Sequence, residues 1–113
     1  MRPVQLTRKL VLETPARVPD GAGGHAESWT ATGTVWADLR AGSGRRDDAG
    51  GLDRARVAYR VILRAAPPGS ARRPRAGQRL RGVDGRVFRI AAVAEDDPAG
   101  RYLTCFATEE APA

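Results

Sequence analysis

The 113-residue sequence contains few of the residues from which enzymes build active sites. One cysteine, Cys105, excludes an intramolecular disulfide, and one histidine, His25, cannot form a metal site without carboxylate or thiolate partners. Cys105 falls inside a predicted strand with no cationic neighbour in sequence, so we expect a buried, unreactive thiol. His25 lies in a glycine-rich stretch and is expected to be solvated. The sequence therefore predicts no catalytic residue, no cofactor and no metal.

Long hydrophobic runs are absent as well. No stretch approaches the roughly 18–20 apolar residues that cross a bilayer, and the residues after Met1 lack the apolar run of a secretory signal. We therefore expect a protein that is made and used in an aqueous, reducing compartment. Aromatic residues are scarce, and the apolar residues are mostly Ala, Val and Leu. This composition predicts a thin core that neighbouring subunits help to stabilise.

Lysine is almost missing, because Lys9 is the only one among 19 basic residues. The net charge is +6, and the segment from Arg40 to Arg86 holds thirteen arginines against four aspartates. This asymmetry favours a basic face that meets phosphate or an acidic partner. An arginine-rich genome explains the same composition without any ligand, and the sequence does not separate the two interpretations.

The residues that are present form short alternating segments separated by thirteen glycines and eight prolines. Alternation with a period of two is typical of strands, and it is clearest in Val57, Tyr59, Val61 and Leu63. No helix of ten or more residues is indicated. We predict an all-β fold, a small antiparallel β-barrel or sandwich of six to seven strands. The predicted strands cover residues 6–13, 26–31, 34–40, 56–64, 78–83, 86–94 and 101–108.

The connections between these strands differ in length. Residues 15–24 and 65–76 are rich in Gly and Pro and are predicted to be loops. Asp84 and Gly85 form a typical tight-turn pair between two strands. A long loop is predicted over residues 41–54, inside a single domain of residues 1–113. Loops of this length are often functional.

A second arginine cluster lies in the proline-rich loop at Arg72, Arg73 and Arg75. Its composition predicts exposure, so these side chains can contact a phosphate backbone or an acidic neighbouring subunit. The arginines of the strand over residues 56–64 share one face. That face serves either binding or protection against edge-to-edge aggregation.

The order of these segments resembles the phage head–tail joining proteins, also called head-closure or stopper proteins, including their gene transfer agent counterparts. The similarity covers about residues 6–106 and rests on several short motifs in the family's order. They are the opening strand from Leu6, Glu27-Ser28-Trp29, the Val-Trp-Ala strand at residues 35–37 with Asp38 after it, Ser-Gly-Arg at 43–45, the central strand 57–64, and Gly-Arg-Val-Phe-Arg-Ile at 85–90.

The resemblance implies a structural component of a tailed phage or gene transfer agent particle, assembled in the bacterial cytoplasm. Its subunits form a ring, on the order of six or twelve copies, between the portal or adaptor protein and the tail terminator or tail tube protein. The ring retains packaged DNA and lets it pass on ejection. In relatives the loop after the Val-Trp-Ala strand faces the channel, which here assigns Arg45, Arg46, Asp47 and Asp48 to the DNA path.

Two other functions stay open from the residues alone. One is a stand-alone nucleic-acid-binding β-barrel, which would present aromatic side chains for base stacking. Trp29 and Trp36 lie near predicted loops, whereas Tyr59 and Phe88 are predicted to face the core. The other is a tail-terminator ring protein of similar size. An enzyme is disfavoured, because the chain lacks a catalytic set.

Overall fold

The computed structural model describes the backbone of residues 3–47 and 54–110 and the side chains of residues 3–42 and 57–110. Within these residues the structure contains strands and no helix, as predicted, and so no helix that could span a bilayer. Six strands follow one another along the chain: β1 (Arg8–Pro19), β2 (His25–Asp47), β3 (Arg54–Arg64), β4 (Arg79–Gly82), β5 (Val87–Ala94) and β6 (Tyr102–Glu109).

The strands form one closed antiparallel sheet in the order β1-β2-β3-β6-β5-β4. Closure follows from the pairing of β1 with both β2 and β4. Strands that are adjacent in sequence pair with each other, except for β3 and β4: β3 pairs with β6, and β4 pairs with β1. The sheet therefore has no open edge around its circumference, and one face of every strand points into the same interior.

The interior contains the apolar residues that the alternation predicted. Phe88, Leu12, Leu63, Leu80 and Leu103 are all fully buried. The rest of the buried core consists of Leu10, Val35, Ala37, Val61, Ile90, Cys105 and Ala107, with Tyr59 and Leu39 packed against it. Phe88 is the only aromatic ring among these buried core residues, so the core consists mainly of aliphatic side chains.

The first hairpin is longer than predicted. The sequence assigned residues 15–24 to a loop, but β1 continues to Pro19 and pairs with β2 from His25 onward. Asp20 N–H donates to Gly24 O (3.1 Å), so the backbone nitrogen of Pro19 points away from β2. The backbone nitrogen of Pro15, four residues earlier in the same strand, points the same way. Because β4 pairs with β1 only up to Glu13, these prolines lie on a free edge where no donor is needed.

The structure corrects the prediction of a loop over residues 41–54, because residues 41–47 and Arg54 belong to the strands of the second hairpin. The separate strands predicted at 26–31 and 34–40 are one strand, β2, which continues to Asp47 and pairs with β3 from Arg54. The glycine-rich sequence joins this ladder through a bulge between Ala41 and Gly44. Cross-strand hydrogen bonds thus outweigh the weak strand propensity of its glycines. Residues 48–53 lie outside the described part of the chain.

The remaining connections agree with the predictions. Asp84 and Gly85 form the tight turn between β4 and β5, closed by Gly82 N–H donating to Arg86 O (2.8 Å). Gly85 has φ +86°, a conformation that favours glycine. The proline-rich segment after β3 contains no strand before Arg79. The alternation of β5 is interrupted: Phe88 and Ile90 are buried, but Ala92 is exposed because a bulge after Ile90 shifts the register.

Candidate functional site

The hairpin between β2 and β3 projects from the closed sheet. Along β2, pairing with β1 ends at Ala37. Along β3, pairing with β6 starts at Ala58. The segments 44–47 and 54–57 therefore pair with each other and with no other described strand. The radius of gyration, 15.3 Å, exceeds the about 13 Å expected for a compact chain of this length, in agreement with projecting hairpins.

The projecting hairpin contains the first group of sequence-predicted site residues. The register places Arg45 opposite Arg56 and Asp47 opposite Arg54, while Arg46 lies opposite Ala55. Asp48 falls outside the described residues. The sequence thus places five charged residues on the described part of the hairpin, four of them arginines. These positions are in strands rather than in the open loop that the sequence predicted.

A charged cluster holds the base of this hairpin to the barrel. Tyr59, which pairs with Ala41, packs edge-on against Phe88 with ring centroids 5.2 Å apart. Arg86 lies over both rings and donates from Nη2 to the Tyr59 hydroxyl (3.0 Å). Its Nε and Nη2 also donate to the two oxygens of Glu109, at 2.8 and 3.0 Å.

The electrostatics of this cluster follow from the bidentate pair. Hydrogen bonds from Arg86 lower the pKa of Glu109 below its ordinary value, and the same bonds raise the pKa of Arg86. Both groups therefore remain charged over the whole physiological pH range. Sequence reasoning missed this cluster, because Arg86 and Glu109 are 23 residues apart and only the closed sheet brings them together.

The second predicted group, in the loop after β3, is divided by the structure. Arg73 is engaged within the chain: it donates to Ala66 O (2.8 Å) and to Glu95 Oε1 (2.9 Å). Pro74 beside it is fully buried. The stem of Arg72 packs close to Gly33 of β2, and Arg75 is exposed. Among the described residues neither Arg72 nor Arg75 has an acidic partner.

A third arginine group, which the sequence did not reveal, surrounds Trp29. The guanidinium of Arg79 lies 4.2 Å and that of Arg89 5.1 Å from the centre of the Trp29 ring. Arg79 donates to Glu13 (2.6 Å), and Arg89 approaches Glu27 (3.7 Å). This network fastens the β1–β2 hairpin to β4 and β5. Trp29 is consequently covered by cations and offers no open platform for base stacking.

Cys105 and His25 occupy the positions that the sequence predicts. Cys105 is fully buried in the core, and desolvation raises the pKa of its thiol to about 12. His25 is exposed at the start of β2. Within the described segments no group of three or more His, Cys, Asp or Glu side chains is placed to hold a metal ion. Asp96 and Asp97 lie in the turn before β6, where Asp97 accepts a hydrogen bond from Arg101 N–H (2.7 Å).

Comparison with known proteins identifies the family. The profile of the phage head completion proteins matches residues 1–110. The chain belongs to the phage head completion protein family. A solved chain described as part of the "virion of native gene transfer agent (GTA) particle" is 53% identical, with a TM-score of 0.81, and the match covers 99% of this chain and 100% of that one.

A second solved structure supports the fold alone. A protein of Shigella flexneri 2a, determined in solution, shares 21% identity and a TM-score of 0.67, with both chains covered completely. No curated protein sequence matches the chain significantly. The family and the close virion match confirm the resemblance seen in the sequence. This head completion protein is a structural head-closure component of a phage or gene transfer agent particle, where it associates with other head or tail proteins.

Proposed function

We propose that this head completion protein forms a closed ring between the portal or adaptor protein and the tail, and that the ring retains packaged DNA until ejection. A subunit that is repeated around a symmetry axis can narrow a channel with one projecting segment per copy. The head side of the ring binds the portal or adaptor, and the tail side binds the terminator or tail tube protein. The role requires no catalysis, and we assign no catalytic residue.

The projecting β2–β3 hairpin is the observation that carries this proposal. It extends beyond the barrel without a third strand on either side, and its base is fixed by the cluster of Arg86, Glu109 and Tyr59. A rigid base with a free end suits a segment that reaches into a shared channel. The paired segments 44–47 and 54–57 would then reach towards the channel axis.

The charges of the hairpin suit a DNA backbone. In the proposed ring, Arg45 and Arg46 face the phosphates, while Asp47 and Asp48 pair with arginines of a neighbouring copy. Contacts of this kind ignore base sequence and weaken as salt increases, because bound cations are released from the DNA. A retention device needs both properties, since it must hold any sequence and still release it. Arg72 and Arg75 are proposed as a secondary contact to phosphate or to a neighbouring subunit.

Particles produced without the gene, and complemented with variants, test the proposal. Deletion is expected to give heads without tails, either filled or emptied of DNA. The double variant Arg45→Ala/Arg46→Ala is expected to enter the particle but to retain less nuclease-protected DNA per head. Electron microscopy counts tailed and filled heads, and quantitative PCR after nuclease treatment measures the protected DNA.

The matched control is Arg17→Ala/Arg101→Ala, which removes the same charge from exposed positions outside the β2–β3 hairpin and its base. We expect this control to retain DNA as the parent does. Tailed, filled particles after deletion of the gene would refute the head-closure role. Equal retention by the hairpin variant and the control would refute the assignment of Arg45 and Arg46.

A further inference from the structure

The β1–β2 hairpin extends beyond the barrel, as the β2–β3 hairpin does. β4 pairs with β1 only as far as Glu13, and β3 pairs with β2 only from Ala37 onward. The arms formed by residues 14–19 and 25–30 therefore pair with each other and with no other described strand. Because β2 contributes one arm to each hairpin, the two hairpins lie at opposite ends of this strand.

The outer edge of β2 in this hairpin carries backbone groups that have no partner. Pro19 lies opposite His25 and Pro15 opposite Trp29, and the nitrogens of both prolines point away from β2. Residues that face each other in an antiparallel pair point either both inward or both outward. The N–H and C=O groups of His25, Glu27 and Trp29 therefore point away from β1. Within the described part of the chain, no other hydrogen bond reaches these groups.

The two edges of the hairpin differ in their capacity to pair with a further strand. On the β1 edge, Pro15 and Pro19 have no N–H and leave Arg17 as the outward donor between them. Proline on an edge strand is a common protection against pairing with another chain. β2 contains no proline from His25 to Asp47, so its edge keeps a donor and an acceptor at every second residue. Only the β2 edge is open to strand addition.

This open edge is also held in a fixed position. The ring of Trp29, at the centre of the β2 arm, lies between the guanidinium groups of Arg79 and Arg89 on β4 and β5. The contact fastens the arm to the barrel on the side of its side chains and leaves the backbone edge uncovered. A strand edge that is ordered before binding loses less conformational entropy when a second strand pairs with it.

The charge of the hairpin favours a polypeptide over a nucleic acid. Arg17 is its one basic residue, against Glu27 in the β2 arm and Asp20 in the turn, whereas the β2–β3 hairpin has four arginines. Two copies of this chain that pair through the same β2 edge would form an isologous contact, which joins them only as a pair and builds no ring. A head-to-tail contact along this hairpin would need the β1 edge, where the prolines block it.

We propose that the β2 edge over residues 25–30 binds an extended strand of the tail protein next to the ring, by addition of that strand to the sheet. The proposal rests on the position between head and tail proposed above and names the surface that receives the tail. The arginine-rich hairpin is turned towards the packaged DNA, so the hairpin at the other end of β2 is turned away from it, to the side where the tail attaches. Main-chain hydrogen bonds supply the affinity in this mode of binding.

Proline substitution on the two edges of this hairpin tests the proposal. Glu27→Pro removes an outward N–H from β2, and Arg17→Pro removes one from the β1 edge directly opposite. Neither change breaks a hydrogen bond between the two arms. The contact of Glu27 with Arg89 that is also lost is exposed and 3.7 Å long, so it contributes little. Each variant complements particles made without the native gene. Electron microscopy counts tailed heads, and mass spectrometry measures the chain in purified heads.

Heads with Glu27→Pro are expected to contain the chain and to retain DNA, but to carry tails about tenfold less often. Heads with Arg17→Pro are expected to be tailed as in the parent. Equal tailing by the two variants would overturn the proposal. Heads that lack the Glu27→Pro chain would assign the edge to a head protein, and a dimer of the isolated chain that Glu27→Pro disperses would assign it to a second copy; either result overturns the proposal. All three leave the head-closure role intact, whereas tailed, filled particles without the gene would refute that role.

Hydrogen exchange on the unsubstituted chain provides a test that does not depend on the folding of a variant. The amides of Glu27 and Trp29 are expected to exchange as fast as exposed amides in the isolated chain, and about tenfold or more slowly in tailed particles. The amide of Arg17 on the opposite edge is expected to exchange equally fast in both. Equal exchange of Glu27 and Trp29 in the isolated chain and in tailed particles would overturn the proposal.

Discussion

Breaking the Arg86–Glu109 pair is expected to destabilise the fold more than breaking an exposed pair of the same chemistry. Both side chains are largely shielded, and the two hydrogen bonds of 2.8 and 3.0 Å have bidentate geometry. A suitable comparison lies nearby, between β5 and the residue that follows β6. Arg89 and Glu110 are more exposed and are joined by one bond of 3.3 Å.

The magnitude follows from burial and geometry. Exposed ion pairs contribute about 0.2–1 kcal/mol in double-mutant cycles, whereas removing one partner of a fully buried pair costs about 3–5 kcal/mol. Arg86 and Glu109 are intermediate, so we expect a coupling free energy of about 1–2 kcal/mol between Arg86→Ala and Glu109→Ala. The cycle of Arg89→Ala and Glu110→Ala should give less than about 0.5 kcal/mol.

Urea unfolding followed by circular dichroism measures each free energy, and a pH series adds a second test. The pKa of Glu109 is lowered in the folded state, so its contribution is complete above the ordinary value of 4.5. It is lost as the pH falls from there through the lower folded pKa. We therefore expect the Arg86–Glu109 coupling to persist at pH 5–8 and to vanish in strong acid. A coupling no larger than that of the exposed pair, or one independent of acid, would refute the reasoning.

Three further predictions concern the barrel itself. Phe88→Ala should lower the free energy of unfolding by about 3–5 kcal/mol because Phe88 is fully buried. Val83 is exposed, so Val83→Ala should change the free energy of unfolding by less than about 0.5 kcal/mol. Similar urea midpoints for the two variants would contradict this prediction. Cys105, with a pKa raised to about 12, should react with a thiol reagent only as the protein unfolds, and a fast reaction in native buffer would show that the core is open. Gly85→Ala should lower the free energy of unfolding by about 1–2 kcal/mol through the φ of +86° alone, since an added Cβ meets no atom within 4 Å. An unchanged urea midpoint would argue against this turn conformation.

Local pattern was sufficient for the fold class and for most of the core. The alternation in β3 placed Val61 and Leu63 on one face, Cys105 was expected to be buried, and all three residues are buried. Period-two alternation reports directly on a sheet with one covered face, so this part of the fold is encoded within a few residues. The tight turn at Gly85 was readable for the same reason, because its conformation depends on adjacent residues only.

The lengths of the two hairpins required the tertiary structure. From the local sequence, Pro15 and Gly44 are expected to interrupt strands, yet both lie within strands. Pro15 is tolerated because β4 pairs with β1 only as far as Glu13 and leaves Pro15 on a free edge. The residue of β4 that pairs with Glu13 is Arg79, which is 66 residues away in the sequence. Whether the segment 41–47 is loop or strand depends on its pairing with residues 54–59, which sequence propensity near glycines does not decide.

The sequence by itself determined an all-β chain with an apolar interior, an arginine-rich middle segment and the motif order of a head-closure protein, because alternation, composition and motifs are properties of adjacent residues. Only the tertiary structure decided which arginines are free and which are engaged. Arg73, Arg79 and Arg86 each bind a carboxylate that is 22 to 66 residues distant. Arg72 and Arg75, in the same loop as Arg73, have no such partner among the described residues. Closure of the barrel sets that division, since it brings distant strands side by side and leaves Arg72 and Arg75 exposed at the surface.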